Sequence, residues 1–179
     1  MDEAQEKRLI KRTLKGDGKS ANELIKHYYN EIYAYAYRQT SSKETAMDIT
    51  QEIFIAVLHS IYSYDSKRAS FRTWLYAVAS NKIYDYFRGR KELFEPFDIS
   101  EMDIADESDF TLTVETRETV KSAMQSLMNT DKELHRIVSL KIFSSLTFRE
   151  IGQTLSVNEN TVKTKYYHAL SILRKELEK

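Results

Sequence analysis

Residues 71–90 read FRTWLYAVASNKIYDYFRGR. Phe71, Trp74, Leu75, Val78 and Ala79 recur at helical spacing, which predicts a helix with one apolar face. Ile83 and Tyr86 continue that side less regularly, while Asn81, Asp85 and Arg88 fall on the opposite one. Just upstream stand Tyr62 and Tyr64, then Lys67 and Arg68. Rings beside cations suit unpaired nucleic acid, because every base has a face to stack and every nucleotide a phosphate to neutralise. Taken alone, aromatics at this spacing favour a core over a ligand platform. A second element further along the chain changes that balance.

The composition sets the frame. The chain has 179 residues, one Pro, four Gly and no Cys, so little interrupts helices and there is no disulfide framework or thiolate metal site. The start, MDEAQEKRLIKRTLKGD, is charged throughout and lacks the apolar stretch of a signal peptide. No run approaches a membrane-spanning length, so a soluble, intracellular protein is expected. Net charge is zero, but its distribution is not even. Residues 1–90 carry 15 basic and 11 acidic residues, residues 91–118 carry 2 and 10, and residues 119–179 carry 10 and 6. Two mildly basic blocks thus flank one acidic strip.

The remaining helices follow from stripes and caps. Leu9, Ile10 and Leu14 mark a first helix over 3–15, broken by Gly16-Asp17-Gly18. Ser20 with Glu23 predicts a capping box, opening a helix whose stripe is Leu24, Tyr28, Ile32, Tyr35 and Ala36. His27 has no partner at metal-ligand spacing and reads as structural. Ser42 or Thr45 opens the next helix, with Ile49, Ile53, Ala56 and Val57 inward. Asp48, Gln51 and Glu52 share another side with Ile55, and Leu58 lies at its border. That face is either a docking surface for a basic partner or an ordinary solvated one, and the residues alone do not choose. Residues 91–118 contain the one Pro and no stable period, and read as an acidic flexible tether.

Beyond the tether, Val120, Ala123, Met124 and Leu127 predict one inward stripe, and Leu134, Ile137, Val138 and Ile142 another. Thr130 with Glu133, and Thr147 with Glu150, read as capping boxes. Ser156-Val157 turns the chain, and Asn158 caps a last helix packed by Val162, Tyr166, Ala169, Leu170 and Leu173. A short helix, a tight turn and a longer helix with a polar start form a helix-turn-helix, which sets its second helix in the major groove. That start offers Glu159, Asn160, Thr161, Lys163, Thr164 and Lys165. Glu159 suits cytosine, Asn160 suits adenine, and Lys163 or Lys165 suits guanine or phosphate. His168 sits a turn further, as a phosphate neighbour or plain surface.

With DITQEIF at 48–54, FRTWLYAVASNKIYDYFR at 71–88 and LTFREIGQTLSVNENTVKTKYYHALSILRK at 146–175, the chain resembles bacterial sigma factors of the extracytoplasmic-function group of the sigma-70 family. The resemblance covers nearly its whole length. It implies an all-α fold of two small helical domains, 1–90 and 119–179, joined by the acidic flexible linker 91–118, the C-terminal domain being a helix-turn-helix. It implies docking on core RNA polymerase through Asp48, Gln51, Glu52 and Ile55. It implies recognition of the −10 element as a single strand by Tyr62, Tyr64, Lys67, Arg68, Phe71, Trp74, Asn81, Lys82 and Arg88. It assigns the −35 duplex to Glu159, Asn160, Thr161, Lys163, Thr164, Lys165 and His168. It also implies an anti-sigma factor, often membrane-anchored, served by Ile55, Leu58 and the apolar side of the second block. On this reading the protein is a cytoplasmic, non-enzymatic factor without cofactor or metal.

Three departures from the family pattern stand out. Ser156 occupies a turn position where Gly is usual, Lys165, His168 and Leu170 stand where Arg is frequent, and Tyr166-Tyr167 alters the packing. The alternative reading is a stand-alone helix-turn-helix regulator whose first block senses a ligand or dimerises. Against it, the first block shows neither a pocket-like composition nor a heptad seam. A pure interaction protein that mimics DNA with its acidic strip is opposed by the basic second block. An enzyme is opposed by four His scattered at 27, 59, 135 and 168.

Overall fold

A computed structural model describes residues 1–89 and 114–177, with side chains placed for 1–88 and 119–177. Every regular element in these residues is helical. The chain divides into two compact units, the second holding most of the residues beyond the linker.

In the first unit, α1 (Glu3–Thr13) is capped by Asp2, which accepts from Gln5 N at 2.7 Å. It buries Leu9 and Ile10. Gly16 then turns the chain at φ +85°, a left-handed conformation open to glycine. The helix α2 (Gly18–Thr40) begins earlier than the Ser20–Glu23 pattern predicts. Asp17 is its cap, accepting from Lys19 N at 3.1 Å and from Ser20 Oγ at 2.8 Å. The Ser20 hydroxyl is spent on that carboxylate, which it holds below the usual range, and Ser20 is buried inside the first turn. The predicted stripe of Leu24, Tyr28, Ile32, Tyr35 and Ala36 is buried throughout, and Tyr37 joins it.

Ser42 caps α3 (Lys43–Ser60) by accepting from Thr45 N at 3.2 Å, which decides between the two predicted openings. Ala46, Ile49, Ile53, Phe54 and Val57 face inward, with Ala56 only half-buried. A 3-10 turn (Ile61–Ser63) leads into the loop before α4 (Phe71–Gly89). Ser70 receives Thr73 N at 3.1 Å and so caps α4. Phe71, Leu75, Tyr76, Ala79 and Ile83 are each at most 1% exposed. Phe71, Leu75 and Ile83 each contribute about 1.5–3 kcal/mol on burial. Helix α2 packs against α1, α3 and α4, and α3 against α4.

Half-buried between α2 and α4, Glu31 accepts from Arg72 Nε at 2.7 Å and from Tyr76 Oη at 3.0 Å. The Arg72 guanidinium also lies 5.0 Å from the Tyr76 ring centre. Tyr28 Oη donates to the Glu6 carboxylate, tying α1 to α2. Burial and neighbouring carboxylates push both phenols upward, so they act as hydrogen-bond donors.

In the second unit, α5 (Val114–Thr130) starts inside the stretch predicted as tether, so 114–118 are helical; the remaining tether residues to 113 lie outside the described residues. The helix α6 (Lys132–Phe143) is capped by Asp131, not by the predicted Thr130. Asp131 accepts from Glu133 N and Leu134 N, both at 3.0 Å, while Thr130 still belongs to α5 and bonds back to Ser126 O. Ala123, Leu127, Leu134, Val138, Ala169 and Leu173 form the core, with Met124, Tyr166, Leu170 and Ile172 against it. Ile142 was expected there but is 51% exposed, because the helix ends at Phe143 and Leu146, fully buried, closes that end instead. Val120 also lies outward, and nothing in the described residues accounts for it. The helices α7 (Phe148–Leu155) and α8 (Glu159–Leu177) follow in the chain.

His135 is buried in α6, and burial pushes its imidazole down to about 4. It is therefore neutral when folded, while the unfolded chain takes up a proton near pH 6.5. A folded pKa below the unfolded one means full stability above about pH 6.5, lost progressively as pH falls towards 4. The second unit is expected to lose about 2 kcal/mol between pH 7 and 5. Denaturant titrations followed by NMR signals of α6 and α8 measure this, and His135→Leu should flatten the dependence.

Candidate functional site

Three surfaces carry the residues that the sequence singles out. On α3, Asp48, Gln51, Glu52 and Ile55 are all exposed, Ile55 by 57%. Ile49, Ile53 and Val57 anchor the opposite side in the core, so folding itself turns this face outward. Among the described residues neither carboxylate has an ion-pair partner. Met47, 47% exposed, extends the face by one turn, and Leu58 borders it. The sequence reading missed Met47, although it lies four residues before Gln51 and eight before Ile55.

The second surface surrounds the loop before α4. Tyr62 is 73% exposed. Tyr64 is half-buried, its ring edge-on to Phe71 at 5.4 Å and 5.6 Å from Trp74. Burial, with Glu6 and Asp65 nearby, pushes its phenol upward. Phe71 lies 5.5 Å from Trp74 and 5.6 Å from Tyr28, but is only 1% exposed. A ring so covered offers no stacking face. Phe71 is the floor of this cluster, and Tyr64 and Trp74 are the rings it supports. Asp65 shapes the loop, its carboxylate accepting from Lys67 N at 2.9 Å and its carbonyl from Arg68 N at 3.0 Å. The Lys67 and Arg68 side chains are thereby left exposed. Along α4, Trp74, Val78, Asn81 and Asp85 follow one helical line, so Trp74 stands on the side of Asn81 and not opposite it. Lys82 is half-buried, and Arg88 pairs with Asp85 at 2.9 Å.

The third surface is the helix-turn-helix of α7 and α8. The capping box at its start is formed: Glu150 N donates to Thr147 Oγ1 at 3.2 Å, and Thr147 N to Glu150 Oε2 at 2.8 Å. In the turn, Val157 N donates to Gly152 O at 2.9 Å. A Cβ on Gly152 would lie 2.5 Å from Val157 O, so this residue must be glycine for α7 to approach the turn. Ser156 adopts φ +56°, so serine holds the left-handed geometry at the turn position where the family pattern usually has glycine. Asn158 caps α8 by accepting from Asn160 N at 2.8 Å. Asn160, Thr161, Thr164 and His168 are exposed. Thr164 Oγ1 donates back to Asn160 O at 3.0 Å. Glu159 pairs with Lys163 at 2.7 Å, and Lys165 pairs with Glu133 of α6. Arg149, exposed in the first turn of α7, is a cation that the sequence reading passed over.

Comparison with known proteins gives the family and the fold. Residues 24–92 match the family model described as sigma-70 region 2. The chain is 30% identical to the ECF RNA polymerase sigma factor SigW of Bacillus subtilis, over 96% of each chain. It is 26% identical to the ECF RNA polymerase sigma-E factor of Escherichia coli, over 90% of this chain and 88% of that one. Among solved structures, CnrH in complex with the cytosolic domain of CnrY gives a TM-score of 0.71 at 18% identity, over 97% of both chains. The sigma factor RpoE of Bartonella quintana, in complex with the anti-sigma factor NepR, gives 0.66 at 16% identity, over 88% of this chain and 96% of that one. These two likenesses establish the fold. The molecule is a factor that acts by binding and directs promoter-specific transcription initiation by RNA polymerase. The chain belongs to the extracytoplasmic-function sigma factors of the sigma-70 family.

The turn geometry has a direct consequence. Gly152→Ala is expected to destabilise the second unit by about 1–3 kcal/mol, the usual cost of forcing an atom into closed packing. Ser156→Gly should act in the opposite direction, by roughly 1 kcal/mol, because it relieves a left-handed side-chain residue. Denaturant midpoints of the two variants measure both.

Proposed function

We propose that the first unit docks on core RNA polymerase through the exposed face of α3 and holds the melted −10 strand on the rings and cations before and along α4, while α8 reads the −35 element as duplex. The observation that carries this reading is the α3 face: two carboxylates without ion-pair partners among the described residues, flanked by exposed Met47 and Ile55. A folded domain gains nothing internally from such a face, whereas a basic, partly apolar partner complements it. Tyr62, Tyr64 and Trp74 present ring surface, and Lys67 and Arg68 supply charge for phosphates. Opening a promoter costs a few kcal/mol for each base unstacked, and capture of the freed base offsets that cost.

Duplex contacts through Asn160 and Thr161 fix register without demanding tight binding. Polymerase, by holding the whole chain, makes two weak contacts act as one strong one. The factor works in the cytoplasm on this reading. An anti-sigma factor restrains it, as the anti-sigma factor NepR is found bound to the related RpoE. Among the described residues no helix is long and apolar enough to cross a membrane.

Asp48→Arg combined with Gln51→Ala is expected to weaken association with sigma-free core polymerase roughly 100-fold or more. Co-migration on size exclusion and promoter-dependent transcripts read the loss. Circular dichroism should show the helices intact. Undiminished association would move the docking face elsewhere.

A further inference from the structure

The lysines at the start of the reading helix are not free. Lys163 and Lys165 are the two lysines in the first two turns of α8, and both end on carboxylates. The two pairs differ in kind. Glu159 and Lys163 are neighbours on one helix at i, i+4, 2.7 Å apart, an ordinary surface pair. Lys165 instead reaches off α8 to Glu133, in the first turn of α6. Asp131 fixes that turn by accepting from Glu133 N at 3.0 Å, and α6 packs directly on α8. Glu133 is thus an acid from outside the reading helix, built into the unit's framework. The Lys165 side chain is 33% exposed and that of Glu133 50%, so a phosphate and the carboxylate compete for one ammonium.

We infer that Glu133 attenuates promoter grip: its carboxylate holds Lys165 against α6 and removes one phosphate contact from the −35 reader. The inference rests on α8 being that reader. The clasp is weak by nature, as partly exposed ion pairs are. Glu133 therefore trims affinity and does not block binding. The rival explanation of any gain is direct repulsion between the Glu133 carboxylate and phosphates, which needs no Lys165, and the test separates it from the clasp.

The full chain bound to core polymerase is measured on promoter duplexes enriched from a random pool by the wild-type holoenzyme. Glu133→Gln should tighten binding about two- to five-fold at low salt, the release of one such pair. It should also steepen the log affinity against log salt slope by about 0.9, the signature of one added phosphate contact. In a Lys165→Met background the same substitution should change neither quantity. No gain in the wild-type background overturns the inference, and so does a gain that persists in Lys165→Met, since that is repulsion without a clasp. Because Glu133 also sits in the helix-stabilising first turn of α6, any folding defect would lower binding and cannot imitate the gain. Asn160→Ala is run alongside. If it leaves dependence on the −35 sequence intact, α8 is not the reader and both readings fall. If it abolishes that dependence while Glu133→Gln is silent, only the clasp falls.

Discussion

The first unit depends on one buried ring. Phe71 touches Tyr28 on α2, Tyr64 in the loop and Trp74 one turn along α4, with ring centres 5.4–5.6 Å away. Tyr28 in turn donates its hydroxyl to Glu6 of α1. Phe71 therefore joins α4 to α2 and to the loop that presents Lys67 and Arg68, and Tyr28 extends the link to α1. Aromatic pairs in tilted or edge-on contact add about 0.5–1.5 kcal/mol each beyond their buried area. The same contacts that stabilise the fold hold the Tyr64 and Trp74 rings in place. On the proposed reading, a surface built this way needs little rearrangement to receive a strand, because its rings are already ordered by the core.

Much of this was legible in the sequence where one physical effect dominates. The α2 stripe is long and strictly periodic, and its five positions are all buried. The Thr147–Glu150 box and the Asn158 cap stand at sites with no aspartate close by, and both form. Legibility fails where two local solutions compete. Ser20–Glu23 and Thr130–Glu133 match the same capping pattern, but each has an Asp close by, at 17 and 131, and the aspartate takes the cap. A carboxylate accepts more strongly from backbone N–H groups than a hydroxyl does, and it suits the positive end of a helix. Periodicity likewise identified Phe71 as apolar without saying whether its ring faces core or strand. Neither the Gly152 approach to Val157 O nor the Lys165–Glu133 pair has any sequence signal, because each is a contact between segments whose placement only folding fixes.

The exposed face of α3 and the start of α8 handle charge in opposite ways. On α3, Asp48 and Glu52 have no ion-pair partner among the described residues, and apolar side chains flank them. On α8, Lys163 and Lys165 are both neutralised by neighbouring acids. An unpaired charge on a folded surface is available in full to a partner. A paired one gives only the difference between the new contact and the old. If α3 docks polymerase and α8 reads duplex, as proposed, the arrangement weights the chain towards its protein partner and away from unaided duplex binding. That weighting is physically useful for a factor that must follow polymerase to a promoter. A strongly cationic α8 would bind any duplex through phosphates, since that term carries no sequence information. Removing cationic excess lowers non-specific binding as well as specific binding, but leaves base contacts such as those open to Asn160 a larger share of the total. Selectivity then comes from restraint in the electrostatic term and not from adding contacts.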